Sequence, residues 1–148
     1  MIKSRITMVV VSVAALFGMV ACNESAPAVT YQAMNEVSGN INGVEYSIYE
    51  CEMAKFQKDM LEEKGFYVDY LEEDDSPAMV FISPGEKSFS KSEMNVQNIE
   101  VDENKNVTIT VFEAKNEDKA YPIVEVELYP APASIKVVDV DGNELAER

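Results

Sequence analysis

Apolar and polar residues alternate at every second position over much of this chain. Val44, Tyr46 and Ile48 alternate with Glu45, Ser47 and Tyr49, the period-two pattern of a strand with one buried face. The preceding Asn42-Gly43 is a strong hairpin-turn dipeptide. Residues 66–71 are rich in β-formers, and residues 78–82 make a short continuous apolar run, which predicts a central strand covered on both faces. Residues 94–101 and 107–112 predict a hairpin around Asp102-Glu103-Asn104-Lys105-Asn106. Its second strand puts Val107, Ile109 and Val111 on one face and Thr108 and Thr110 on the other. Over residues 121–129 the expectation is Val124, Val126 and Leu128 inward, with Glu125 and Glu127 outward. Pro122 is tolerated there because it opens the strand. Pro130-Ala131-Pro132 breaks the pattern, and residues 135–140 predict a last strand before Asp141-Gly142.

One stretch has a different period. In residues 51–64, Met53, Phe56, Met60 and Leu61 stand at i, i+3, i+7 and i+8, a single apolar stripe on a helix. Gly65 follows where a left-handed residue ends a helix, and Lys64 sits in the last turn, favourable to the dipole. The fold class expected is therefore α+β. It is a β-dominated antiparallel sheet or sandwich of about seven strands with one amphipathic helix near 51–64.

The N-terminus follows another rule. Lys3 and Arg5 precede the uncharged, mostly apolar residues 6–20, then Ala21-Cys22, the layout of a secretory signal. Such a run rises about 22 Å as a helix, short of the ~30 Å hydrocarbon core. Met19-Val20-Ala21-Cys22 resembles the lipobox of bacterial lipoproteins, in which the cysteine thiol is fatty-acylated. The organisation expected is a signal peptide over 1–21, a flexible tether over 22–36 and a single β-rich domain over 37–148. The resemblance implies a bacterial cell-envelope protein held to the membrane through Cys22. It would sit in the outer membrane of a two-membrane host, or on the outer face of the plasma membrane of a one-membrane host.

Charge sharpens this picture. The full chain carries 27 acidic and 12 basic side chains. Removing residues 1–21 takes away Lys3 and Arg5 and leaves 27 against 10, a net charge of −17. Such a chain repels phosphate backbones, so nucleic acid is not an expected partner. It is also repelled by anionic headgroups, which leaves acyl chains, at about 0.8 kcal/mol per buried CH₂, as the means of membrane residence.

Candidate chemistry is sparse. The chain has no histidine, which removes Ser-His-Asp and Cys-His arrangements and the commonest zinc ligand. Cys51 is expected as a small core hydrophobe, with intermolecular disulfide pairing as the alternative. Ser83, Ser88, Ser90 and Ser92 lie near Lys87 and Lys91 but form no recognisable nucleophile turn. With Gly142 as the sixth residue of a calcium loop, Val137 and Arg148 would fall on ligand positions, so Asp139 to Glu144 reads better as an Asp-Gly turn. Glu72-Glu73-Asp74-Asp75 reads as a solvated turn. No catalytic residue, metal or cofactor is expected.

Residues 65–145 resemble the C-terminal domain of the protease-complex-subunit PrcB family, found in bacterial lipoproteins. The resemblance is carried by Val80-Phe81-Ile82-Ser83-Pro84-Gly85-Glu86-Lys87, by the hairpin over 98–112, and by Ala120-Tyr121-Pro122-Ile123-Val124-Glu125-Val126. Where the family has Thr-Gly-Gly-Tyr after Gly-Glu-Lys, this chain has Ser88-Phe89-Ser90-Lys91-Ser92. The resemblance implies a non-catalytic subunit associated with an exported protease. The function expected is thus a lipid-anchored accessory module with a protein partner. Its contact surface is expected at open sheet edges and in the loops 84–92 and 113–120, at Pro84, Gly85, Glu86, Lys87, Phe89, Lys115 and Asn116. The other expectation is a small-ligand or glycan-binding lipoprotein, with Phe66, Tyr67, Tyr70 and Tyr129 lining a cleft.

Overall fold

The structure, a computed structural model, describes residues 30–51, 62–70, 75–88, 91–115 and 122–148. The strands are β1 (Ser38–Ile41), β2 (Val44–Glu50), β3 (Gly65–Tyr70), β4 (Ala78–Ser83), β5 (Ser92–Val101), β6 (Asn106–Lys115), β7 (Val124–Tyr129) and β8 (Ser134–Asp139). They form a five-stranded sheet of order β1-β2-β7-β4-β3 and a three-stranded sheet of order β5-β6-β8. One hydrophobic core draws on both sheets. Val44, Val80, Val126 and Leu128 come from the first, and Val107, Ile109, Val111 and Val137 from the second.

The alternation sets this arrangement strand by strand. Val124, Val126 and Leu128 are buried while Glu125 and Glu127 between them are half-buried on the outer face. Val107, Ile109 and Val111 are at most 1 % exposed. In β4, Val80 and Ile82 belong to the main core. Phe81 points the other way, into a second cluster with Cys51 and Ile123 that Tyr67 and Met79 pack against. The continuous apolar run over 78–82 thus marks a strand with apolar contacts on both faces. Cys51 is 2 % exposed, in keeping with a core role.

Three features depart from the sequence expectation. There are eight strands among the described residues, because Ser38–Ile41 pairs with β2 across the Asn42-Gly43 turn. β8 pairs parallel to β6, with Val107 opposite Ile135 and Val111 opposite Asp139, so the second sheet is mixed, not antiparallel. Among the described residues there is no α-helix. The helix predicted over 51–64 falls largely on residues 52–61, outside the described residues. Its described ends, Cys51 and residues 62–64, are a non-helical position and a bend.

Two straps cross between the sheets. At one side Met34 donates its N–H to Val96 of β5 at 2.9 Å, and Ile48 of β2 donates to Val37 at 2.7 Å. At the other, Leu145 donates to Val137 of β8 at 2.9 Å. Phe66 of β3 donates to Ala146 at 3.0 Å, and Arg148 donates back to Phe66 at 2.8 Å. Sheet edges carry unpaired N–H and C=O groups that invite pairing with other chains. The straps satisfy part of those on β3, β5 and β8.

Candidate interaction surface

Strand register decides which loops become neighbours. β2 and β4 end, and β7 begins, at one end of the first sheet, since Glu50 and Ile82 both pair with Val124. β3 begins there as well, with Gly65 opposite Ser83. In the second sheet Ser92, which opens β5, pairs with Lys115, which closes β6. Met94 donates its N–H to Pro122 at 2.8 Å and ties the two sheets together there. The turn 84–88 and the paired strand ends Ser92 and Lys115 therefore lie at this end of the sandwich. Residues 113–115 close β6 and are not loop; residues 89–90 and 116–120 lie outside the described residues. At the opposite end lie the turns Asn42-Gly43 and 102–105 and the break over 130–133, where the Tyr129–Pro130 peptide is cis.

The first loop is built by its glycine. Gly85 has φ +92°, and a Cβ there would stand 2.9 Å from the backbone N of Lys64 and 3.2 Å from Glu63 C. Its N–H donates to Ser83 Oγ at 3.0 Å, and its carbonyl accepts from Ser88 N at 2.9 Å. A short 3-10 turn, Glu86–Ser88, follows. Of the residues expected to make contacts, Pro84 and Gly85 are buried. Gly85 sits close against the backbone of residues 63 and 64. Glu86, Lys87 and Lys115 are exposed. Phe89 and Asn116 lie outside the described residues, as does Cys22.

Residues 62–64 join the turn 84–88 to the end of β6. Lys64 Nζ pairs with Glu113 Oε1 at 2.6 Å. Glu63 Oε2 pairs with Arg148 at 2.7 Å, and Arg148 also donates to the Lys64 carbonyl at 3.3 Å. Beside them is a hollow of about 200 Å³ bordered by Tyr31, Lys64, Phe112, Glu113, Asp139 and Asp141. Asp139 is held below the usual carboxylate range. Hydrogen bonds from the side chain and backbone of Asn143 are the main causes, with a smaller contribution from the Lys64 charge.

That carboxylate is occupied. Oδ1 accepts from the backbone N–H of Asp141 and Asn143, and Oδ2 accepts from Asn143 Nδ2. Among the described residues no group of three or more Cys, Asp or Glu is placed to hold a metal ion. Ser83 is 3 % exposed, with its hydroxyl oxygen engaged by Gly85. Lys87 and Lys91 are exposed.

The aromatics expected to line one cleft are dispersed. Phe66 lies in the main core, and Tyr67 packs on the opposite face of the sheet, 6.5 Å from Phe81. Tyr70 and Tyr129 are 53 % and 42 % exposed and border neither hollow. What sequence reasoning missed is a groove of about 170 Å³ between the first strap and the sheets, walled by Met34, Val37, Ile48, Met94 and Val96. Glu93, 8 % exposed, closes it, accepting from Asn95 Nδ2 at 3.4 Å. Sequence offered only the spacing of Met34 and Val37 as a signal, in a segment that reads as linker. Compared against family models, curated proteins and solved structures, the chain matches none.

Proposed function

We propose that this protein is a lipid-anchored, non-catalytic accessory module of the bacterial envelope, held through Cys22 and binding a protein partner such as an exported protease. The observation that carries the reading is that the turn 84–88 and the paired strand ends Ser92 and Lys115 stand at one end of the sandwich, both against residues 62–64. Two chain segments present Glu86, Lys87 and Lys115 beside paired strands. Support comes also from the signal and lipobox pattern ending in Cys22, the lack of histidine, and the PrcB-like run Val80 to Lys87. The small-ligand reading is weaker. The larger of the two hollows, at about 200 Å³, is below the ~300–1,000 Å³ of ordinary ligand sites.

The test has two parts. Mass analysis of the mature protein should show an acylated Cys22 at its N-terminus; free, unmodified secretion would sink the anchored reading. Capture from solubilised membranes should recover a protein that the double variant Lys87→Glu, Lys115→Glu loses. Recovery of the same proteins by both would sink the assignment of the surface.

A further inference from the structure

Residues 31–36 do not behave as free linker. The Tyr31 ring packs on Phe112 at 5.7 Å between centroids, and Met34 is bonded to Val96 at the edge of β5. Met34 also packs against the main core. The chain therefore enters the domain at a fixed place. Phe112 pairs with Asn95, three residues from the Ser92–Lys115 pair, so that place is the end carrying the turn 84–88 and Lys115, the loop-bearing end.

We infer that this strap orients the domain, turning the loop-bearing end toward the bilayer, so that the partner taken there is itself seated in or on the same membrane. The inference rests on the anchored reading above. Residues 23–30 separate Cys22 from Tyr31. Those eight residues span at most roughly 30 Å. From Phe112 to Asn106 is six strand residues, or about 20 Å, and the turn 102–105 extends farther. Setting the opposite end on the bilayer would hold Tyr31 at least that far above it. About two-thirds of the reach of the link would be used before the turn is counted, at a cost in chain entropy. With the loop-bearing end down, no such extension is needed. A soluble partner would approach the outward turns with less obstruction, so loops facing the lipid select one that lies beside it.

The test uses the acylated full chain in phosphatidylethanolamine–phosphatidylglycerol vesicles carrying a headgroup-attached energy acceptor. Donor dyes are placed at Lys87→Cys or at Glu103→Cys; Cys51 is buried, and the unsubstituted chain reports background labelling. Transfer should be several-fold greater from position 87 than from position 103. A Gly-Ser insertion of about ten residues after residue 29 should erase the difference. Equal transfer, or more from 103, overturns the orientation. Failure of the protein to float with the vesicles overturns the anchored reading itself, and the orientation with it. In native membranes, a photo-crosslinker at position 87 should trap a protein bearing a membrane span or a lipid anchor. Trapping of a soluble protein there overturns the assignment of partner.

Discussion

Asp102 and Asp139 close the same turn at opposite ends of the sandwich. Asp102 Oδ1 accepts from the backbone N–H of Asn104 at 2.8 Å and Asn106 at 2.9 Å, and Oδ2 accepts from Asn106 Nδ2 at 2.8 Å. Asp139 repeats this with Asp141 at 2.9 Å, Asn143 at 2.8 Å and Asn143 Nδ2 at 2.9 Å. The fourth residue is left-handed in both, Lys105 at φ 65° and Gly142 at φ 85°. An acid, a left-handed fourth residue and an asparagine fifth form one local device, used once in a hairpin and once beyond β8.

Both carboxylates are held below 3.8, chiefly by the side-chain and then the backbone hydrogen bond from the asparagine. A depressed folded pKa gives stability that is complete above the unfolded value and is lost as pH falls through the folded one. Asp102→Asn and Asp139→Asn should lower the melting temperature near neutral pH. The gap from the parent should narrow steadily as pH drops below 3.8. A gap that stays constant into strong acid would show that the charge plays no part.

Gly142 and Gly85 are both left-handed, but their surroundings differ. A Cβ at Gly142 meets nothing within 4 Å, whereas at Gly85 it meets the backbone of residues 63 and 64. Gly142→Ala should therefore cost only the backbone penalty, about 1 kcal/mol. Gly85→Ala adds a clash that no side chain can relieve and should cost about 2–3 kcal/mol. Urea unfolding of the two variants measures the difference, and equal costs would contradict the packing of loop 84–88 on residues 62–64.

Ile109 is fully buried in the central strand of the smaller sheet, and Thr110 beside it points to the outer face. Ile109→Ala should lose about 2–5 kcal/mol through lost burial and the cavity it leaves. Thr110→Ala should stay within about 0.5 kcal/mol. Comparable losses would mean that β6 is set one residue out of register.

The second strap contributes through its backbone. Deleting residues 146–148 removes both hydrogen bonds to Phe66, at about 0.5–1.5 kcal/mol each, and uncovers part of the β3 edge. Glu63→Gln removes only the exposed pair with Arg148, worth under about 1 kcal/mol. The truncated protein should melt lower and self-associate on warming, followed by light scattering, while Glu63→Gln should do neither.

Much of the β structure was legible because burial of one face imposes a period of two. Val107, Ile109 and Val111, and again Val124, Val126 and Leu128, place their strands without reference to the rest of the chain. The Asn42-Gly43 dipeptide marks a hairpin turn, since Asn42 at φ 49° and Gly43 at φ 81° both need the left-handed region. Partner choice leaves no such imprint. Ile135 and Val137 suit a strand pairing in either direction, so the parallel seam with β6 could not be read. β1 is short and polar, SGNI, and gains its place from β2. In the loops, Pro84 and Gly85 read as surface turn residues; both are buried, Gly85 against residues 62–64, some twenty positions away.

β7 lies between β2 and β4 in space, yet follows both in the chain. A nascent polypeptide ending before residue 124 holds a β1–β2 ribbon and a β3–β4 ribbon with no common neighbour. Isolated two-stranded ribbons are marginal in water, and such non-local pairing makes assembly slow. Collapse is thus deferred until most of the chain has been made. If the chain is exported as proposed, that delay leaves it open for a translocation channel that threads only unfolded chains.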